Sequence, residues 1–128
     1  MLDSATLVAA GAVCGALTRW RVTTSRQQPT YFTTAIINVS GSFALGLAAG
    51  RFADSRHVLL ACGTGFLGSY TTFSTFSLDT ILLIEQGLFA RATCLALGTP
   101  ALGISAAAAG LSLGRRLLKS RGGTHHNK

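Results

Sequence analysis

The sequence predicts an all-α membrane protein with four transmembrane helices. Of its 128 residues, 48% are apolar and only 12% are charged, against about 25% charged residues in an ordinary soluble domain. The charges are also segregated, because long charge-free stretches alternate with short clusters of charged residues. About 20 apolar residues are enough for a helix to cross a bilayer. A soluble helical bundle is the alternative, but the chain has little polar material to form its outer surface.

Four stretches of the chain are candidate spans. The first covers residues 4–18 and reaches spanning length if the side chains of Arg19 and Arg21 extend to the interface. The other three stretches are free of charges and lie within residues 27–50, 58–78 and 92–114. No Lys or Arg precedes the first stretch, so we predict a retained helix and not a secretory signal peptide.

The third stretch contains a G-x-G-x-x-G pattern at Gly63, Gly65 and Gly68 that imitates a dinucleotide-binding loop. Such a loop needs a strand before it, a helix after it and further strands. Here Ser, Thr and Phe residues follow it, a poor composition for the start of a surface helix. In a membrane, the same run favours close helix contact and irregular backbone. We therefore predict a break in the third helix, at the centre of an ion or solute pathway.

Other functional classes fit the sequence less well. The formal charge is +7, but the basic residues flank apolar segments and crowd the C-terminal tail, so we predict no nucleic-acid partner. The three cysteines are far apart, without His or Cys at ligand spacing. No cluster of His, Cys or acidic residues falls in the spans, which argues against an enzyme. A small multidrug exporter needs a carboxylate inside the first span, where only Asp3 stands, at its edge.

A single membrane domain is predicted over residues 1–118, followed by a basic and disordered tail over residues 119–128. With four spans, seven of the 11 Lys and Arg residues fall on the side of the termini and four on the other side. The positive-inside rule then places both termini in the cytoplasm.

Three motifs are similar to those of the CrcB/Fluc family of small fluoride channels. The stretch GxxGSxTTFSTFSxD, residues 65–79, resembles the signature of the family's third helix. Residues 38–43 resemble its second-helix motif, and residues 15–20 resemble the end of its first helix. The resemblance covers residues 5–114. It implies a passive, fluoride-selective channel in the cell membrane that exports toxic fluoride, formed by two antiparallel subunits with a structural sodium ion at their interface.

The resemblance also implies roles for individual residues. Phe73 and Phe76 would line the anion path with their ring edges, where the aromatic quadrupole is positive. The side-chain amide of Asn38 would donate a hydrogen bond to fluoride. The sodium ion would be held by the backbone carbonyls of Gly68 and Thr71. The remaining polar residues assigned to the path are Ser74, Thr75, Thr99 and, near the pore vestibule, Arg19.

Plainer interpretations of these residues stay open at the level of sequence. Phe73 and Phe76 have the spacing of two core residues on one helix face. Asn38 would be satisfied by an interhelical hydrogen bond without a role in the pore, and Arg19 by the membrane interface. The hydroxyl groups can bond to the backbone of their own helix.

Several positions depart from the family's usual pattern. Ser69 stands where a second Gly is common, Tyr70 adds bulk beside the predicted break, and Asp79 replaces Glu. Gly103 falls where the fourth helix often carries a hydroxyl, and Thr99 is the best polar substitute. A second hypothesis is therefore a non-conducting membrane subunit, or one that works only as half of a heterodimeric channel with an oppositely oriented homologue.

Overall fold

The computed structural model describes residues 3–25 and 30–122. Helix α1 is Ser4–Ser25 and helix α2 is Thr30–Arg51. The third segment consists of α3, Arg56–Val58, then a π-helix, Leu59–Leu67, then the single turn α4, Gly68–Tyr70. Helix α5 is Phe73–Glu85 and helix α6 is Phe89–Gly122. These described ranges contain no strand, so the all-α class is confirmed and the glycine pattern is not a dinucleotide-binding loop.

Among the residues that the structure describes, two helices are long and apolar enough to cross a bilayer, Thr30–Arg51 and Phe89–Ser120. Only 22% and 17% of the residues in their apolar stretches are buried inside the chain. Large apolar side chains face outward instead, among them Leu97 and Leu102 on α6, which are 69% and 62% exposed. A core helix of a soluble bundle would bury these side chains, so the apolar exterior favours a bilayer as the surroundings.

The other two predicted spans are less apolar or less continuous. Helix α1 has 22 residues, but Arg19, Arg21 and several Thr and Ser residues make it more polar. The third span is divided into short elements, of which α5 is the longest with 13 residues. Length and composition of the helices thus support two spans where the sequence predicts four, and the crossing of the membrane by the other two segments stays a prediction.

Helices α2 and α6 lie parallel and in backbone contact. The contact is formed by four glycines, Gly46 and Gly50 on α2 and Gly110 and Gly114 on α6. A Cβ atom at Gly46 would overlap the carbonyl oxygen of Ala107. Small residues four positions apart are typical of closely packed membrane helices, because they let the two backbones approach.

Helix α1 packs on the π-helix in a similar way. A Cβ atom at Gly11 would overlap the carbonyl oxygen of Ala61, and one at Gly65 would lie 3.0 Å from the Cα atom of Gly11. Gly65 therefore permits the close helix contact that its sequence context predicts. A Cβ atom at Gly63 would meet the Leu45 side chain at 3.4 Å, and one at Gly68 would meet the Gly63 carbonyl oxygen of the adjoining π-helix at 3.7 Å.

We expect Gly46→Ala to destabilise the protein by about 1–3 kcal/mol, because the added methyl group has no space between α2 and α6. The thermal unfolding midpoint of the purified protein in detergent measures the effect. Gly98→Ala is the matched control on α6, since the added Cβ would meet no described atom within 4 Å beyond the nearby backbone of its own helix. Its midpoint should stay the same or rise, because Ala is the better helix former by about 1 kcal/mol. Equal midpoints for the two variants would contradict the packing described above.

The two ends of the described chain differ in structure. Asp3 precedes α1, and its Oδ1 accepts hydrogen bonds from the Thr6 hydroxyl at 2.6 Å and the Thr6 N–H at 2.7 Å. These bonds hold the pKa of the Asp3 carboxyl below its ordinary value and satisfy a free N–H of the first helical turn. At the other end, α6 includes residues 119–122 of the predicted tail. Arg26 and residues 123–128 lie outside the described ranges.

Candidate functional site

The chain leaves the helical conformation at two residues between α4 and α5. Thr71 has φ −78° and ψ 159°, and Thr72 has φ −151° and ψ 118°. Thr72 is the N-cap of α5, since its hydroxyl accepts a hydrogen bond from the Thr75 N–H at 3.2 Å. Consecutive β-branched residues favour extended backbone, and Thr is a good N-cap, so the helical pattern stops and starts again at this point.

Asn38 on α2 pairs with the peptide groups of Thr72 at this interruption. Its Nδ2 donates to the Thr72 carbonyl oxygen at 2.9 Å, and the Thr72 N–H donates to its Oδ1 at 2.8 Å. Backbone groups inside a membrane protein need such partners, because water is absent from the hydrocarbon region. The interhelical hydrogen bond that the sequence analysis gave as an alternative role for Asn38 is therefore present. The second N–H of the Asn38 amide remains for another acceptor.

Arg19 on α1 contacts the same interruption. Its Nη1 donates to the Thr71 carbonyl oxygen at 3.3 Å, and the side chain is half-buried. The Gly68 carbonyl lacks its usual helical partner, because the N–H of Thr72, four residues further on, donates to Asn38 instead. At the interruption, the Gly68 carbonyl oxygen has therefore lost its helical partner, and the Thr71 carbonyl oxygen accepts from a guanidinium group.

A groove of about 360 Å³ lies between α2, α6 and the start of α5. It brings together four residues predicted for the anion path, Asn38, Phe73, Phe76 and Thr99. Its other lining residues are Ser42, Pro100, Gly103, Ile104 and Ala107. The ring centroids of Phe73 and Phe76 are 5.8 Å apart and the ring planes are tilted by 39°. Within the described part of the chain, the wall of this groove contains no charged side chain.

The other residues predicted for the path lie outside the groove lining. Ser74 and Thr75 form the first turn of α5. The Thr72 hydroxyl donates to the Thr75 hydroxyl at 3.1 Å and lies 3.3 Å from the Ser74 Oγ. Arg19 lies at the interruption, as described above. These side chains therefore belong to the helix start and to the interruption, next to the groove.

Sequence reasoning missed the roles of three polar residues. Thr34 donates from its Oγ1 to Asp79 Oδ2 at 2.8 Å, and both residues are less than 10% exposed. Thr72 supplies the N-cap and the peptide that Asn38 binds. Ser42 lines the groove. A signal was available, because Thr34, Asn38 and Ser42 follow one another every four residues and so lie on one face of α2.

The fold and the site define a class of protein. The chain is a small all-helical protein with an apolar exterior, an interruption held by interhelical hydrogen bonds, and an uncharged groove lined by aromatic rings. These are features of an integral membrane protein.

The chain belongs to the family described as CrcB-like protein, Camphor Resistance (CrcB), whose model matches residues 6–111. It is 51% identical over 88 residues to the fluoride-specific ion channel FluC of Rhodopseudomonas palustris (strain BisB5), across 66% of this chain and 71% of that protein. It is 45% identical over 116 residues to the fluoride-specific ion channel FluC 2 of Synechococcus sp. (strain CC9902), across 91% of this chain and 83% of that protein. The resemblance carried by the three motifs is confirmed.

Proposed function

We propose that the chain forms a passive, fluoride-selective channel that exports fluoride across the cell membrane. Both relatives described above are named fluoride-specific ion channels. The observation that carries the proposal is the groove, which combines amide and hydroxyl groups with aromatic rings and has no charged side chain among its described lining residues. Such a protein moves an ion without covalent chemistry, so it is a channel subunit and not an enzyme.

The chemistry of the groove suits a small anion that must bind and leave again. The amide of Asn38 and the hydroxyl of Thr99 are hydrogen-bond donors. The edges of Phe73 and Phe76 are the positive part of the ring quadrupole and can face an anion without a full charge. Several weak contacts permit both entry and release, whereas a buried cation would hold the ion for longer.

A second subunit closes the groove in this proposal. Phe73 is 80% exposed in the single chain, and a ring that lines an ion path needs a protein neighbour to separate the path from lipid. An antiparallel dimer supplies that neighbour, either as a second copy or as an oppositely oriented homologous subunit. The moderate excess of cations on the side of the termini favours one orientation, with both termini in the cytoplasm. This bias supports the heterodimeric alternative, and equal insertion in both orientations would contradict it.

A structural sodium ion at the interruption is a further part of the proposal. Neutral carbonyl oxygens are suitable ligands for a hard cation, and the Gly68 carbonyl has lost its helical hydrogen bond. Thr71 would be the second ligand, although Arg19 already donates to its carbonyl at 3.3 Å. Elemental analysis of the purified dimer, after exchange into sodium-free potassium buffer, tests the site. Retention of about one sodium ion per two chains supports it, and complete loss of sodium contradicts it.

Fluoride efflux from liposomes that contain the purified chain alone tests the channel function, with a fluoride electrode as the detector and chloride efflux as the control. Fast release of fluoride but not of chloride is expected from a homodimer. Release only after co-expression with an oppositely oriented homologue would establish the heterodimer. Absence of release from folded protein in both cases would contradict the channel and favour a non-conducting membrane subunit.

A further inference from the structure

Two neighbouring levels of the groove each combine one residue of α2 with one residue of α6. A Cβ atom at Gly103 would lie 3.4 Å from the Oγ of Ser42, so these two residues face each other. Because α2 and α6 run parallel, the residues one turn earlier on each helix, Asn38 and Thr99, form the neighbouring level. All four residues line the groove.

At the Ser42 level, the residue of α6 that faces the hydroxyl is Gly103, which leaves space because it has no side chain. The only hydroxyl of this pair is therefore the one on α2. Ser42 and Asn38 also line an adjoining cavity of about 240 Å³ that reaches Thr71 and Thr72 at the interruption. Ser42 thus stands where the groove and this second cavity meet.

The Ser42 hydroxyl can donate a hydrogen bond to an anion at a small energetic cost. In the structure it donates to the Asn38 carbonyl oxygen within α2 at 2.7 Å. A hydroxyl bonded to its own helix can rotate its hydrogen toward another acceptor. A hydrogen bond to an ion is stronger than the neutral bond that it replaces. The rotation is therefore favourable when a desolvated anion occupies the groove.

We propose that Ser42 and the space beside Gly103 form a second anion-binding position, one helical turn along the groove from Asn38. This inference rests on the proposed channel function and adds a residue to its path. Side chains four residues apart on a helix are separated by about 6 Å. Two adjacent positions of modest strength let an entering fluoride ion displace the one ahead of it.

Removing the hydroxyl and returning it from the opposite helix tests the position. Ser42→Ala is expected to slow fluoride efflux about tenfold, the effect of one lost hydrogen bond to an ion. Gly103→Ser in the Ser42→Ala background is expected to restore most of the efflux, because the new hydroxyl fills the space that the serine left. Ser105→Ala is the matched control, since Ser105 is exposed on α6 and bonds to the Ala101 carbonyl at 2.9 Å. Its efflux should equal that of the unsubstituted protein.

The assays use the assembly that conducts fluoride, and the thermal unfolding of each variant shows that it is folded. Efflux by Ser42→Ala at or above the unsubstituted rate would overturn the position. Slow efflux that Gly103→Ser fails to improve would overturn it as well. Loss of efflux in Phe76→Ile, measured in the same series, would leave the channel function standing when Ser42→Ala has no effect. Absence of efflux from the unsubstituted assembly would overturn the channel function itself.

Discussion

Phe76→Ile is expected to abolish fluoride efflux and to leave the protein folded. Phe76 is half-buried in the groove wall, with its ring centroid 5.8 Å from that of Phe73. Isoleucine keeps most of the apolar bulk, so the loss of stability should stay below about 1.5 kcal/mol. It removes the positive ring edge and leaves a desolvated anion facing aliphatic carbon. Uncompensated desolvation of an ion costs several kcal/mol, so efflux should fall at least about 100-fold.

The same substitution at an unrelated Phe controls for general damage. Phe89 lies at the start of α6, is 65% exposed and is not part of the groove wall. Efflux by Phe89→Ile in the liposome assay should match that of the unsubstituted protein. Equal losses in both variants would point to damaged folding, which the thermal midpoint would reveal. Undiminished efflux in Phe76→Ile would show that fluoride takes another path and that the groove is not the pore.

Asn38→Ala should lower both the stability of the protein and its fluoride efflux. The substitution leaves the N–H and the carbonyl of Thr72 without their partner in a region where Thr72 is only 9% exposed. Each unpaired buried group costs about 1–3 kcal/mol. The thermal unfolding midpoint in detergent should therefore fall clearly. Efflux should be lost as well, because the interruption loses its support and the groove loses its amide donor.

Gln86→Ala removes the same kind of amide from an exposed position at the end of α5 and should change neither measurement. If Asn38→Ala keeps the midpoint of the unsubstituted protein but loses efflux, the amide acts on the ion and contributes little to the support of the interruption. A variant that is both stable and active would refute the two roles together.

The all-helical class could be predicted because it depends on composition and on the spacing of charges. The number of spans does not follow from composition in the same way, because the mean hydropathy of a window recognises only a long and continuous apolar helix. Two predicted spans are not long apolar helices, one because Arg19 and Arg21 lie in α1 and one because the chain is extended at Thr71 and Thr72. The glycine pairs that join α2 and α6 have a visible spacing, but only the structure shows which glycines face each other.

The structure separates the residues of the predicted site into two groups at the interruption. Phe73, Phe76, Asn38 and Thr99 come together in one groove, whereas Ser74 and Thr75 join the first turn of α5. The direction of a side chain after an interruption depends on the residue at which the helix starts again. Thr72 sets that point as the N-cap of α5. A motif match gives the types of the residues, but it does not give the direction in which each side chain points from the new helix.

The apolar character of the chain, its all-helical class and its family could be predicted without a structure, because they follow from composition and from local motifs. Three contacts could not be predicted in this way: Asn38 binds the peptide of Thr72, Arg19 reaches the Thr71 carbonyl, and Ser42 faces Gly103. The first two contacts join residues 34 and 52 positions apart. Such pairs depend on how the helices pack and on their rotational phase, and a local pattern along one helix does not contain that information.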